Sequence, residues 1–461
     1  MPRDDRRGRR REWPAERDRV VEMRTSLVTG SIVLGVSAAL AVPVLGAAVD
    51  GSTAISSAVA GPGARANAAP AAAVIEPPAA GVVFNDPTGD AAAQDRISDH
   101  IRRAIDATPR SGTIRMAAYS FDRRDIADAL LRACTRRRVT VQVVLNDNFV
   151  SQPTRRLQRL VGSDPEAGVN TCTGSDATTT EPSFVTICRA SCRLGDRGNQ
   201  HMKFYLFSTA GDVPHVVMAG SANLTGYAAG VHWNDLITFT GSQELYDDYS
   251  EVFAQLAADR VVEAPSVDLA HGDVRTTVAS GRPASPDTDA VAQRLAAVGC
   301  DALPGSGVGG RTVVRISMYG WQGARGLDLA RRVSALQEQG CRVQALVSAA
   351  GPDVVDTLLR AGVRARSASI DVDGDPATGF EDSGWEHFVH EKWMSVDGTW
   401  NGSATRAVWT GSENWSDVSL LNDELVVMIP RDEVHAAYVA HFEDVWTHHS
   451  KSFETAEGQG R

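Results

Sequence analysis

The chain has 461 residues, 43% of them hydrophobic, and a formal net charge of −11. That length exceeds one ordinary core and implies two domains or two large lobes. The acidic balance weighs against diffuse attraction to nucleic acid, which relies on neutralising phosphates, although a local basic pocket is compatible with a negative average.

The Arg-rich start "RDDRRGRRRE" is followed by the uncharged "SLVTGSIVLGVSAALAVPVLGAA", so residues 1–48 read as a secretory signal peptide. Gly46, Ala47 and Ala48 suit a signal peptidase, and Met23 offers a start with a basic region of normal length. The competing reading is an uncleaved anchor, since about 20 apolar residues span a bilayer. Residues 1–48 carry nine arginines against six acidic residues, so their removal moves the net charge from −11 to −14. Residues 49–85 are mostly Ala, Pro, Gly and Ser and read as a flexible linker. Ile97, Ile101 and Ile105 then recur at helical spacing before Pro109, which predicts a helix with a stop signal.

Six cysteines in an exported chain predict three disulfides. Cys300 with Cys341 is the favoured pair, because Cys134, Cys172, Cys188 and Cys192 cluster in the other half. A zinc site from Cys172, Cys188, Cys192 and His201 is the weaker reading, since the CxxxC spacing is loose.

Two segments run strand, loop, amphipathic helix, strand: "GTIRMAAYSFDRRDIADALLRACTRRRVTVQVVLND" from Gly112 and "RTVVRISMYGWQGARGLDLARRVSALQEQGCRVQALVSA" from Arg311. Leu130, Leu131 and Ala133 mark the core face of the first helix. Tyr119 and Tyr319 stand at the strand exits. Each half continues with "HMKFYLFS" or "HEKWMSVD", then "GSAN" or "GSEN", then "NDLITF" or "NDELVVMI". Four features in the same order describe an internal duplication, with repeats at residues 90–265 and 291–450 and a linker at 266–290 around "ASGRPASPDTD". Alternating strands and helices predict α/β lobes with mixed, largely parallel sheets that face one another across a cleft.

Lysine is rare in this chain, occurring only at residues 203, 392 and 451, and two of these three sit in the pattern His-x-Lys. In an extended strand His201 and Lys203 share a face, as do His390 and Lys392, about 7 Å apart along the backbone. Gly-Ser-x-Asn adds a close backbone approach, a hydroxyl and an amide. Two histidines, two ammonium groups and several neutral donors suit a phosphate diester: one imidazole attacks phosphorus and the other protonates the leaving oxygen.

The doubled pattern HxKxxxxD followed by GSxN resembles the phospholipase D superfamily over most of the chain after residue 95. The resemblance implies two pseudo-repeated lobes, each a mixed β-sheet flanked by helices, with the active site at the lobe interface. It also implies a phosphohistidine intermediate and no metal or other cofactor. By position His201 would be the nucleophile and His390 the general acid. Lys203, Lys392, Asn223 and Asn414 would hold the phosphate, with Ser221 and Ser412 assisting. Asp235 and Asp423 are the expected orienting carboxylates, from the repeat and from family members that carry an acid there.

One departure is Ser208, which stands where the second copy has Asp397. Asp397 precedes Gly398, a hairpin-turn pair, and at odd spacing from His390 it points away, so a turn and supporting role is expected for it. His387 reads as a rim residue, because three residues along a strand is the opposite face from His390. Six of the nine tryptophans (Trp321, Trp385, Trp393, Trp400, Trp409, Trp415) lie near the second motif. They read mainly as core, with the wall of a lipid-accepting cleft as the alternative. These readings point to a secreted, monomeric phosphodiesterase of phospholipase D type with transient membrane contact. An extracellular nuclease of the same chemistry and a non-catalytic phosphate-binding module remain as alternatives.

Overall fold

A computed structural model describes residues 76–173, 181–372 and 386–453; the signal-peptide reading and Trp385 lie outside them. The first sheet uses β1 (Gly81–Phe84), β2 (Thr113–Ala118), β3 (Thr140–Asn146), β4 (Phe184–Cys188), β5 (Phe204–Ala210) and β6 (Val213–Gly220). After the two-residue β7 (His232–Trp233), β8 (Asp235–Phe239) completes it in the order β1-β8-β6-β5-β2-β3-β4.

In the second repeat the strands are β9 (Val267–His271), β10 (Val274–Ala279), β11 (Val298–Gly299), β12 (Val313–Gln322), β13 (Arg342–Ala350), β14 (Arg364–Ser367) and β15 (Ser369–Ile370). They continue with β16 (His387–Val389), β17 (Lys392–Trp400), β18 (Ser403–Gly411), β19 (Trp415–Ser416), β20 (Glu424–Ile429) and β21 (Lys451–Ser452). Its main path, β21-β14-β13-β12-β17-β18-β20-β10-β9, contains the same six-strand order as the first sheet. The duplication is therefore a duplication of topology. Within each six-strand unit only the βαβ pairs are parallel, β2-β3-β4 and β12-β13-β14, and the rest are antiparallel. The sheets are thus mixed but not largely parallel, because hairpins rather than helical crossovers join β5 to β6 and β17 to β18.

Both stretches read as linkers contain strands. Val82 and Val83 alternate into an edge strand on β8, and residues 266–290 hold the β9–β10 hairpin, which extends the second sheet beside β20. The predicted helix is present at Arg96–Ala107, with Ile97, Ile101 and Ile105 buried. Leu130, Leu131 and Ala133 belong to the outer core of the first lobe. A second outer core, with Trp321, Trp409 and Trp415, covers the other lobe. The central core joins residues of both halves, among them Phe204, Trp233, Trp393 and Leu425, with Tyr249 and Tyr438 from the last helix of each repeat. Four of the tryptophans near the second motif, Trp321, Trp393, Trp409 and Trp415, are thus core.

All six cysteines are paired: Cys134–Cys172, Cys188–Cys192 and Cys300–Cys341. The zinc reading falls with this, because its three thiolates are consumed in disulfides. The hairpin between β17 and β18 turns at Asn401-Gly402, where both residues have positive φ, and not at Asp397-Gly398. Asp397 lies within β17 and accepts from the Gly307 N–H at 2.8 Å and the Arg406 Nε at 3.2 Å, tying down the 301–311 loop. Ser208 does a related job, its hydroxyl accepting the Thr113 N–H at 2.9 Å.

Candidate active site

The two His-x-Lys segments lie where the lobes meet, each running beside the other repeat. Gln200 bridges Asp423, and β16 pairs parallel to β7 with Val389 opposite Trp233. The His201 N–H donates to the Asp423 carbonyl at 3.1 Å, and the His390 N–H donates to the Trp233 carbonyl at 2.9 Å. Each histidine backbone is therefore positioned by the other half of the chain.

Side chains repeat the same symmetry. Lys203 donates to the His201 carbonyl at 2.6 Å, and Lys392 donates to that of His390. The ammonium groups sit 5.2 and 5.1 Å from the Tyr119 and Tyr319 ring centres. The same tyrosine rings lie 4.9 and 4.8 Å from His201 and His390. A buried ammonium over an aromatic face gains a cation–π contact while its remaining protons stay available. Tyr119 and Tyr319 stand out in the sequence only as repeat markers; here they floor the two half-sites.

The glycines of Gly-Ser-x-Asn permit close strand approach. A Cβ on Gly220 would lie 2.2 Å from the Asp235 carbonyl oxygen, and one on Gly411 would lie 1.9 Å from that of Leu425. The serine hydroxyls are spent inside the protein. Ser221 accepts the Asp235 N–H at 3.0 Å and donates to Asn234, while Ser412 accepts the Leu425 N–H at 3.1 Å and donates to Glu424. They position the histidine partners, a different task from the phosphate assistance expected of them. The side-chain Oδ1 of Asn414 accepts the Gly320 N–H at 3.1 Å, whereas Oδ1 of Asn223 is buried with no partner among the described residues.

The orienting groups differ from those expected. Nδ1 of His201 donates to the carboxylate of Glu424, 2.9 Å from both oxygens, and Nδ1 of His390 meets Oδ1 of Asn234 at 3.0 Å. Asp423 instead accepts from the Cys192 N–H at 2.8 Å and from Ser280 at 3.0 Å. Asp235 accepts from Thr410 and Tyr438. Ser221 is bonded to Asp235, and Ser412 to Leu425, so the spacing is one residue shorter in the second half. Asp235 therefore matches Leu425, which puts the two Asn-Asp dipeptides two residues out of register; each expected acid lies one residue from the side chain that orients a histidine, Asp235 after Asn234 and Asp423 before Glu424, and in a strand one residue reverses the face.

Burial dominates the electrostatics. It drives the Lys203 ammonium down to about 7 and Lys392 well below its ordinary value, with Lys203 adding repulsion at Lys392 and Glu424 opposing both shifts. His201 is lowered to about 4 by burial, which outweighs the Glu424 carboxylate. His390 lies well below the ordinary histidine value through burial and then through Lys392, His232, Lys203 and His201. Burial also opposes ionisation of Glu424, but His201, Lys203 and Ser412 together hold it below the usual carboxylate range. At neutral pH the resting pair is thus a carboxylate and a neutral imidazole with a free Nε2 lone pair.

His232 is a further residue the sequence reading passed over. Its ring stacks on His390 at 4.6 Å and 20°, and both of its nitrogens are buried without partners among the described residues. His387, in β16, is half-buried beside Trp233, away from the histidine pair.

Residues 101–257 and 311–446 match the family described as cardiolipin synthase, PLD-like domain. No curated relative matches the chain by sequence. Among solved structures, phosphatidylserine synthase from Haemophilus influenzae Rd KW20 is similar with a TM-score of 0.51 at 13% identity, covering 81% of this chain and 87% of that one. Polyphosphate kinase from Porphyromonas gingivalis aligns at 13% identity and a TM-score of 0.47 over 78% of this chain, which spans 49%, about half, of that longer one. The phospholipase D family member Nuc from Salmonella typhimurium aligns at 18% identity and a TM-score of 0.27, covering 40% of this chain and 99% of its own. The two family segments fall one on each repeat and together cover more than half of the chain, so this protein belongs to the phospholipase D-like family, phosphodiesterases and phosphatidyltransferases in their general chemistry.

Proposed function

We propose that the protein is exported and acts as a monomer that hydrolyses or transfers a phospholipid head group through a phosphohistidine on His201. In this reading Nε2 of His201 attacks phosphorus while His390 protonates the leaving alcohol. Water then enters with its proton passing back to His390. Lys203, Lys392, Asn223 and Asn414 hold the phosphoryl oxygens and counter the charge that develops on them.

The observation that carries the reading is the paired half-site, in which each imidazole is held by a side chain from the opposite repeat. A lipid substrate is favoured over nucleic acid by the net charge of −11 and by an apolar rim. Tyr227, 44% exposed, packs edge-on against His232, which itself stacks on His390. Amphipathic rings of this kind suit a transient bilayer contact.

The test is metal-free incubation of the mature protein with phosphatidylcholine vesicles and ethanol, with single-stranded DNA in parallel. Phosphatidylethanol should form, and His201→Ala should abolish both transfer and hydrolysis. Undiminished turnover by that variant refutes the assignment, and release of nucleotides without lipid turnover transfers the site to the nuclease reading.

A further inference from the structure

We propose that Asn234 makes the two half-sites unequal: Glu424 equips His201 to carry positive charge as a phosphohistidine, whereas the Asn234 amide leaves His390 a neutral ring that holds a proton only briefly and so ties turnover to acidic pH. This rests on the proposed phosphohistidine chemistry.

Asn234 and Glu424 are structural equivalents. Each follows the residue whose carbonyl receives the opposite histidine's backbone N–H, and each accepts from the serine of its own Gly-Ser-x-Asn. One is a carboxylate and the other a neutral amide. The amide is fixed in orientation: Nδ2 donates to the carbonyls of Ala228 at 3.3 Å and His232 at 3.4 Å. Its backbone N–H donates to Asn85 at 2.9 Å, and Asn85 is itself bonded to the His232 and Ala229 carbonyls. Reversing the amide would aim its oxygen at two carbonyl oxygens. Oδ1 therefore faces His390, Nδ1 of that ring carries its proton, and Nε2 keeps the lone pair when the ring is neutral.

Among the described residues the hydrogen-bond partner of the His390 ring is the neutral Asn234, and the carboxylates of Asp235, Glu391 and Glu424 bond to other groups. Lys392 is on His390's own strand, His232 stacks on that ring from β7, and Lys203 and His201 act on it from the other half-site. Tyr319 covers it at 4.8 Å. The adjacent acid, Glu391, turns away to accept from Trp393 at 2.7 Å and to pair with His441. His201 by contrast has an anion bonded to its ring, which is what a phosphorylated, cationic imidazole requires.

The Nε2–P bond to His201 forms as the P–O bond to the alcohol breaks, and the Nε2 proton of His390 moves to the departing oxygen. A water oxygen then bonds phosphorus, its proton returns to Nε2 of His390, and the N–P bond breaks. The first step needs protonated His390 beside neutral His201; with His390 titrating below His201 this is the minor singly protonated form, and its share falls as pH rises above the His201 value.

The test begins on the free protein with ¹⁵N-labelled histidine followed by NMR. His390 should titrate below His201 in the wild type, Asn234→Asp should raise His390 by about one pH unit or more, and Glu424→Gln should lower His201 without moving His390. Wild-type His390 titrating at or above His201 overturns the proposal without any variant. The second arm is the pH profile on a soluble diester: Asn234→Asp, by bringing His390 to or above His201, should raise the rate on the alkaline side and move that limb to higher pH, and Asn234→Ala should lower the rate without that shift. An unmoved limb, or an equal shift in both variants, sinks the proposal. Absence of an alkali-stable, acid-labile covalent label in the wild type, with the NMR ordering intact, would instead count against the phosphohistidine reading on which it rests.

Discussion

Glu424, from the second repeat, and His201, from the first, form a buried hydrogen-bonded pair of 2.9 Å between the two halves. The neighbouring Asp423 faces the other way, onto the Cys192 N–H and Ser280. Two adjacent acids thus have separable tasks. Glu424→Gln should lower kcat by about 10²- to 10⁴-fold with little change in KM, since it removes support for charge on the imidazole. Asp423→Asn should keep most of kcat and cost about 1–3 kcal/mol of stability, from buried donors left poorly satisfied. Steady-state kinetics paired with chemical denaturation checks both, and a reversed pattern would return the orienting role to Asp423.

The low Lys203 value predicts a proton signature of binding. At pH 8 an amine held near 7 is mostly neutral, and an incoming phosphate or diester anion favours its charged form. Binding of inorganic phosphate to the free protein should therefore take up protons. Calorimetry at pH 8 in two buffers of different ionisation enthalpy reads this directly: the apparent enthalpies should differ, and Lys203→Met should reduce the difference. Equal enthalpies in both buffers would show that the amine is already charged.

The repeat and its reactive groups were legible in the sequence because they are set by short-range pattern. His-x-Lys twice, in a chain that otherwise uses arginine, and alternation through Met202, Phe204 and Leu206, which pack in the central core while Tyr205 and Phe207 face the outer one, need no tertiary knowledge. What was not legible depends on register between distant strands. Asn-Asp occurs in both halves, but the two dipeptides sit two residues out of register, so Asn234 matches Glu424 in role and Asp235 faces Tyr438. His232 escaped for a similar reason: only pairing of β7 with β16 lays its ring on His390. The edge strands at 81–84 and in 266–290 were hidden by composition typical of linkers, because an edge strand needs a partner more than it needs large side chains.

The disulfides should separate stability from site geometry. Cys134–Cys172 and Cys300–Cys341 close loops of 38 and 41 residues, for which chain entropy gives about 4 kcal/mol each. Cys188–Cys192 spans only four, for about 2 kcal/mol, but the Cys192 N–H holds Asp423, whose carbonyl holds His201. Paired Cys→Ser changes should therefore rank the long bridges first in loss of denaturation midpoint and the short one first in loss of kcat. Equal kinetic effects for all three would detach the short bridge from the site.

Acid should favour the proposed chemistry while weakening the fold. His100 and His201 are held at about 4, and His232 at about 3, chiefly by burial. Their folded values lie below the unfolded one near 6.5, so the unfolded chain binds more protons in between. Their contribution to stability is complete above about 6.5 and is lost as pH falls through 4, on the order of 3 kcal/mol for His100 alone. Glu391 and Glu424, both held below the usual carboxylate range, add to the loss below about 4.5. His441, raised against its burial by the Glu391 carboxylate, works in the opposite sense and stabilises the fold as pH drops below its folded value. With several rings against one, the thermal midpoint should decline from pH 6.5 to 4, and His100→Gln should flatten part of that decline. The proposed dependence on protonated His390 makes turnover rise over the same interval, so the activity optimum should fall where the two trends cross. Asn234→Asp should move that optimum upward in pH while leaving the His100 part of the stability curve in place; if both curves move together, the pH optimum reports unfolding and not the charge on His390.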